Sequence, residues 1–141
     1  MLLTLLLTLA TAQMGFDQTM TVHHFRLFAD GGSIEVRTKG TKDTKDTKER
    51  VRMHLSHIAG MFADGDFEAP MLVHDTKDVP GIAVLTARRT AIRYRYVETP
   101  TGGRVEITTT DAAALAALHD FLRYQIREHK TGDSPAVAPR R

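Results

Sequence analysis

The stretch MTVHHFRLFADGGSIEVR, residues 20–37, decides how the first part of the chain folds. Apolar and polar side chains alternate on both sides of the Asp-Gly-Gly at residues 30–32, and a period of two is typical of half-buried strands. Aspartate and glycine tolerate the positive φ of a tight hairpin turn. The stretch therefore predicts a β-hairpin whose core face carries His23 and Phe25, while His24 lies on the opposite face.

The same pattern returns at residues 92–107, where tyrosines alternate with arginines before a second Gly-Gly pair. The closest local match sets GGSIEV at residues 31–36 beside GGRVEI at residues 102–107. Two alternating runs joined by a glycine turn again predict a hairpin. We interpret the chain as a repeated unit, although paired glycines are also common in unrelated hairpins.

A helix is predicted after each hairpin. Asp46 and Glu49 have the spacing of a capping box, and Gly65 has the position of a helix stop. In the second unit the helix cap is Thr110 or Asp111. Both helices have apolar residues at three- and four-residue steps: Val51, Leu55, Ile58 and Phe62 in the first, and Leu115, Leu118, Leu122 and Ile126 in the second.

Each sheet face and each helix stripe needs an apolar partner, which favours one layer of strands and one layer of helices. We therefore predict an α+β fold of two β-hairpin–helix units (ββα-ββα), with a four-stranded antiparallel sheet and two helices packed on one face. The prolines of residues 65–89 predict an irregular connection between the units. The predicted domain spans residues 16–133, and residues 134–141, with two prolines, are predicted to form a disordered tail.

The composition limits what the protein can be. The chain has 141 residues, of which 42% are hydrophobic and 26% are charged, and this suits one compact domain. The net charge of +2 equals the contribution of Arg140 and Arg141, so a basic nucleic-acid surface is not predicted. Because cysteine is absent, thiol catalysis, thiolate metal sites and disulfides are excluded.

The first residues indicate an export signal. Residues 2–9 are apolar apart from two threonines, and Ala10-Thr11-Ala12 has the small-x-small pattern of a signal-peptidase site. We predict a signal peptide at residues 1–12, which is shorter than usual, so the true start is expected further upstream. A short buried strand or helix is the alternative. The mature chain, from about Gln13, is then secreted or periplasmic and has no membrane span.

Seven histidines carry the chemistry that stands out in this chain. Periodicity places several of them at the layer between sheet and helices, and imidazole is the commonest protein ligand of transition metals. We predict a copper or zinc site, and thioether ligands would favour copper. The predicted ligands are His23, His54, His74, His119 and His129, with weaker candidates at His57, Met61 and Met71. The protein would then be a metal carrier, a metal sensor or a small metalloprotein.

A second interpretation makes the histidines hydrogen-bonded core residues and the methionines core fillers. The protein is then a metal-free module that binds a small ligand or another protein. No recognisable catalytic motif supports an enzyme, and the sequence specifies neither a protein partner nor an oligomeric state. Four arginines either form a cationic stripe that binds an anionic glycan or pair with acids on a solvated strand face. These are Arg88, Arg89, Arg93 and Arg95, with Glu35 and Glu106 as the acids.

Several short motifs resemble those of a group of small exported bacterial proteins without an established activity. They are His23-x-Phe25, His54-Leu55, Gly65-Asp66-Phe67, Pro80-Gly81, the Gly102-Gly103 turn, Leu118-His119 and Glu128-His129. The resemblance covers roughly residues 16–133. Some members of the wider group are labelled aspartate carbamoyltransferase, but this chain is too short for that enzyme's two-domain catalytic subunit and lacks its carbamoyl-phosphate loop. The resemblance implies an exported single-domain protein and supplies no catalytic residue.

Overall fold

The computed structural model describes residues 15–73, 76 and 78–140, without the side chains of residues 71–73. The predicted signal peptide at residues 1–12 and the predicted metal ligand His74 lie outside this part of the chain. The side chain of Met71, a weaker candidate ligand, lies outside it as well.

Within the described residues, five strands form one sheet. They are β1 (Thr21–Phe28), β2 (Gly31–Thr38), β3 (Ile92–Thr99), β4 (Gly102–Thr109) and β5 (Val137–Ala138). Their order is β3-β4-β2-β1-β5, and neighbours are antiparallel except for β5, which runs parallel to β1. Both predicted hairpins are present, and the α+β class is confirmed. The predicted four-stranded antiparallel sheet is wrong, because the sheet is mixed and has a fifth strand.

The fifth strand lies in the segment that the sequence predicts to be a disordered tail. The outer edge of β1 presents backbone groups that need partners, and the tail supplies some of them. The Ala29 amide donates to the Ala138 carbonyl at 3.1 Å. Arg140 anchors the end of the tail, because its guanidinium donates to the Asp30 carboxylate at 2.8 Å and to the Ile107 carbonyl at 3.0 Å. A two-residue strand has no periodicity, so no local pattern predicts it.

Four helices are described: α1 (Lys45–Ala63), α2 (Glu68–Val73), α3 (Ile82–Ala87) and α4 (Ala112–His129). α1 and α4 are the two predicted helices, and the short α2 and α3 lie in the connection predicted to be irregular. The N-cap of α4 is Asp111, whose carboxylate accepts from the Ala114 amide at 2.9 Å. The predicted capping box of α1 is wrong: the N-cap is Thr44, and Asp46, already inside the first turn, pairs with Arg50 at 3.0 Å.

Each long helix packs mainly on the hairpin of the other half. α1 packs against β3 and β4, whereas α4 packs against β1 and β2. One side chain of each helix stabilises the turn of the hairpin below it. From α1, Arg52 donates to the Thr99 and Gly102 carbonyls at 2.6 and 2.9 Å. From α4, His119 Nε2 donates to the two carbonyls that flank the β1–β2 turn, at 2.8 and 3.0 Å.

The hydrophobic core lies between the helices and one face of the sheet. It contains the periodic residues of both long helices, including Leu55 and Leu122, and inward side chains of all four hairpin strands. The opposite face of the sheet is not covered by any described helix. Within the described ranges, no helix has both the length and the apolar content that a membrane span requires.

Candidate ligand cavity

A cavity of about 60 Å³ lies between the sheet and the long helices and is partly open to solvent. One water molecule needs roughly 10–15 Å³, so the space accommodates several small atoms. Ala69 and Pro70 of α2 form part of the lining. The sheet and the long helices supply the rest: His23, Phe25, Ile34, Val36, His54, Leu55, Ile58, Phe62, Phe121, Gln125 and His129.

His23 lies on the core face of β1, opposite Val36 of β2. Burial lowers its pKa from 6.5 to about 4, and repulsion by His54 and His24 contributes less. The imidazole is therefore neutral at pH 7. Its Nε2 atom is buried and has no hydrogen-bond partner among the described residues, which is uncommon for a polar atom in a folded protein.

His54 reaches the same cavity from α1. Burial and, to a smaller extent, repulsion by His57 lower its pKa to about 4, so this imidazole is also neutral at pH 7. The buried ring of Phe16 packs against both imidazoles, with its centroid 5.3 Å from that of His54 and 6.0 Å from that of His23. The two histidines thus share an apolar environment that disfavours their charged forms.

His129 is the last residue of α4 and brings a third imidazole to the cavity. Its ring stacks on that of His23, with centroids 5.2 Å apart and planes 16° apart. An imidazole binds a metal through a lone pair in the plane of its ring, so two stacked rings do not direct their lone pairs at one ion. Among the described residues, no group of three or more His, Asp or Glu side chains is placed to hold a metal ion.

The structure thus brings together three of the five predicted ligands: His23, His54 and His129. His119 does not line the cavity. It is buried at the end of the first hairpin, where its Nε2 atom donates to the carbonyls that flank the turn. His119 therefore has a structural role at this position, and the fifth predicted ligand, His74, is not among the described residues.

The weaker candidates lie away from the cavity lining. His57 is exposed on α1, and Met61 is half-buried in the last turn of the same helix. His24 lies on the opposite face of the sheet, where its Nδ1 atom donates to the Asp133 carboxylate at 2.9 Å. None of the three described side chains contributes to the cluster of imidazoles.

Some residues of the site were not predicted: Gln125, Ala69 and Pro70 line the cavity, and Phe16 packs against its imidazoles. Gln125 has a detectable signal, because it lies three residues after Leu122 on the apolar face of α4 and is only 4% exposed. A polar residue on such a face indicates a site that needs a hydrogen-bonding group. Phe16 and α2 have no equivalent signal, because each is placed by tertiary packing.

The cavity combines apolar walls with three imidazoles, two of which burial keeps neutral. No protein-family model, curated protein or solved structure matches the chain.

Proposed function

We propose that the cavity binds a small uncharged molecule, or the end of a longer one, with an apolar body and one hydroxyl group. The size and lining of the cavity support this proposal, since ligand sites are concave and mostly apolar with a few polar groups. The opening to solvent allows the rest of a longer molecule to extend outward.

The unpaired nitrogen of His23 is the observation that carries the proposal. A buried polar atom without a hydrogen-bond partner costs about 1–3 kcal/mol, and Nε2 of His23 has no partner within the part of the chain that the structure describes. A neutral imidazole nitrogen accepts a hydrogen bond in one tautomer and donates one in the other. A hydroxyl group both donates and accepts, so a ligand hydroxyl satisfies this nitrogen in either tautomer.

The electrostatics of the cavity favour uncharged ligands. His23 and His54 are neutral at pH 7 because their pKa values are about 4, so they provide no countercharge for an anion. The described lining side chains include no acid that would pair with a cation. Burying an unpaired charge is costly, and we therefore expect uncharged molecules to bind better than charged molecules of the same shape.

A comparison of 1-butanol with n-butylammonium tests the proposal, because the two have similar shapes and differ in charge. We expect 1-butanol to bind with a Kd on the order of millimolar and to shift amide NMR signals of β1 and α4. We expect n-butylammonium to leave these signals unchanged at the same concentrations.

Two variants show where the alcohol binds. His23→Phe removes the unpaired nitrogen and is expected to abolish the saturable shifts. His57→Phe makes the same substitution on the exposed side of α1 and should leave binding unchanged. Equal binding of the alcohol and the ammonium ion, or full binding by His23→Phe, contradicts the proposal.

Copper or zinc binding is a second candidate, favoured by the neutral imidazoles of His23 and His54 at the cavity. Neutral imidazole is the form that binds metals, and burial keeps His23 and His54 neutral down to about pH 4. Titration of metal-free protein with Zn²⁺ and Cu²⁺ at pH 7 tests this candidate. A cavity site predicts stoichiometric binding that His54→Ala removes and His57→Ala preserves, whereas the opposite result places the metal on the outer surface of α1.

A further inference from the structure

The sheet face away from the helices carries an excess of positive charge, and we call this surface the arginine face. Outward side chains of β1 to β4 alternate with the core side chains, and they include five arginines and two glutamates. These are Arg26, Arg37, Arg93, Arg95 and Arg104, with Glu35 and Glu106. None of the described helices covers them.

The guanidinium groups reach solvent, whereas the carboxylates lie beneath them. The side chains of Glu35 and Glu106 are 21% and 19% exposed, and that of Arg95 is 65% exposed. Glu106 accepts hydrogen bonds from Arg95 and, at 3.0 Å, from Arg104. Arg26 lies 3.6 Å from Glu35. The acids are therefore shielded by the arginines that they partly neutralise.

Arg37 and Arg93 add positive charge that no ion pair within the described residues offsets. Five arginines against two glutamates give these seven side chains a net charge of +3, which the Asp133 carboxylate beside His24 reduces to +2. Arg140, which covers Phe28, is paired with Asp30 and leaves this sum unchanged. The near-neutral composition therefore averages a positive sheet face with a remainder in which opposite charges balance. This concentration of one sign of charge on one surface favours an anionic partner.

The arginine face differs from the stripe that the sequence suggests. Arg88 and Arg89 lie outside the sheet, where Arg88 pairs with Asp111 at 2.8 Å and Arg89 donates to the Thr86 carbonyl at 3.1 Å. The register of the strands instead brings Arg26 and Arg104 to the same face as Arg93 and Arg95. The positive surface thus spans four strands.

We propose that the arginine face binds an anionic polysaccharide. Guanidinium groups recognise carboxylate and sulfate oxygens through paired N–H donors. Adjacent strands lie about 4.8 Å apart and same-face residues of one strand about 7 Å apart, so the arginines present a two-dimensional array of donors to an extended polymer. The proposal does not depend on the cavity, which lies on the other side of the sheet.

The lack of accessible aromatic rings on this face favours a polysaccharide over a nucleic acid. Sheets that bind single-stranded nucleic acids stack bases on exposed aromatic side chains. Two of the described aromatic rings lie on this face. The Arg140 guanidinium covers Phe28, 4.5 Å from the centroid of the phenyl ring, and the His24 imidazole is hydrogen-bonded to Asp133. The face therefore offers charge without a stacking surface.

A heparin octasaccharide and a single-stranded oligonucleotide of similar charge test the proposal with the full chain. We expect heparin to bind at about 50 mM NaCl, to bind more weakly as salt increases, and to shift amide NMR signals of β1 to β4 more than those of the helices. We expect the oligonucleotide to bind at least about tenfold more weakly, because base stacking is not available to it.

The double variant Arg37→Gln/Arg93→Gln removes two charges without leaving a glutamate unpaired. We expect it to weaken heparin binding by about fivefold or more, whereas Lys45→Gln/Arg50→Gln, the same charge change on α1, should weaken it by less than about twofold. Circular dichroism checks that both variants are folded. Equal weakening by both variants, tighter binding of the oligonucleotide, or no heparin binding at low salt would each overturn the proposal.

Discussion

The two halves of the molecule share a backbone plan and differ in the side chains above each hairpin. His23 and Tyr94 occupy equivalent places, because each is the third residue of the first strand of its hairpin. Tyr94 packs against Phe62, with centroids 5.8 Å apart, and Phe62 stacks on Phe67 at 4.3 Å. His23 lies instead at a cavity with two further imidazoles. The cavity therefore arises from the choice of side chains on a repeated framework.

The helices repeat the same plan with different chemistry. Arg52 and His119 are each the eighth residue of their helix, and each donates to the carbonyls at the end of the opposite hairpin. His119 is 8% exposed, whereas the side chain of Arg52 is 24% exposed. Equivalent positions thus hold the turn of the opposite hairpin in both halves. Because water reaches the buried imidazole less easily than the guanidinium, the contacts of His119 are harder to replace than those of Arg52.

The glycines between the central strands should have the largest effect on stability. A Cβ atom at Gly31 would lie 1.8 Å from the Ile107 carbonyl oxygen, and one at Gly102 would lie 2.2 Å from that of Val36. Since β2–β4 pairing fixes both backbones, we expect either Gly→Ala substitution to lower the free energy of unfolding by at least about 3 kcal/mol. Urea denaturation measures this change.

Gly60 provides the control for both substitutions. It lies in α1 with no atom within 4 Å of a new Cβ, so Gly60→Ala should raise stability slightly. A loss of less than about 1 kcal/mol at Gly31 or Gly102 contradicts a tightly packed framework common to both halves.

The histidine-bearing half should lose stability in acid. An unfolded histidine has a pKa of about 6.5, whereas His23 and His54 have pKa values of about 4 in the folded protein. The unfolded state therefore binds more protons between these values, and the free energy of unfolding decreases as the pH falls from about 6.5 to about 4. Each histidine contributes at most about 3 kcal/mol to this loss.

Urea denaturation at several pH values shows which residues cause the pH dependence of the free energy of unfolding. His23→Phe and His54→Phe should each reduce the pH dependence, and Tyr94→Phe should leave it unchanged. If the double variant His23→Phe/His54→Phe keeps the full pH dependence, other groups cause it and the neutral state of the cavity histidines is contradicted.

The two turn contacts should differ in strength. His119→Ala leaves two turn carbonyls without their donor in a buried place, so we expect a loss of about 2 kcal/mol in the free energy of unfolding. Arg52→Ala removes the equivalent contacts at a more exposed place, where water replaces them, and should cost about 1 kcal/mol. Thermal and urea unfolding measure both, and a larger loss for Arg52→Ala would reverse the comparison.

The smallest effect is expected at the two unpaired polar atoms. Nε2 of His23 and the Tyr94 hydroxyl are both buried without a hydrogen-bond partner in the described chain. Replacing either residue with Phe removes a buried unsatisfied atom and should raise the free energy of unfolding by about 0.5–1 kcal/mol at pH 7. We expect His23→Phe to lose 1-butanol binding and Tyr94→Phe to keep it; loss in both variants would contradict a site at which His23, and not its counterpart Tyr94, contacts the ligand.

Local rules explain why the hairpins and long helices could be predicted. A period of two around Gly31-Gly32 and Gly102-Gly103 defines the four hairpin strands, and apolar steps of three and four define α1 and α4. β5 depends on the free edge of β1, and α2 is only six residues long and includes Pro70. These elements have no periodic signal, so their positions follow only from the assembled fold.

The candidate site was predictable in part for the same reason. Periodicity places His23, His54 and His129 at the margin of the core, and these three line the cavity. His119 has the same signal, but the crossing of α4 over the first hairpin brings it to a turn instead. The arginine face was predicted in part, because Arg93 and Arg95 belong to the stripe that the sequence suggests. Its other arginines were not predicted, since only the strand register shows which charges share one surface.

The central claim is that His23 is neutral and offers its Nε2 atom to an uncharged ligand. Long-range ¹H–¹⁵N NMR of the histidine rings at pH 7, recorded as 1-butanol is added, tests it most directly. We expect His23 to have the ¹⁵N shifts of a neutral imidazole and its Nε2 signal to move saturably as the hydroxyl binds. A protonated His23 ring at pH 7, or an Nε2 signal that does not respond to saturating 1-butanol, would contradict the account.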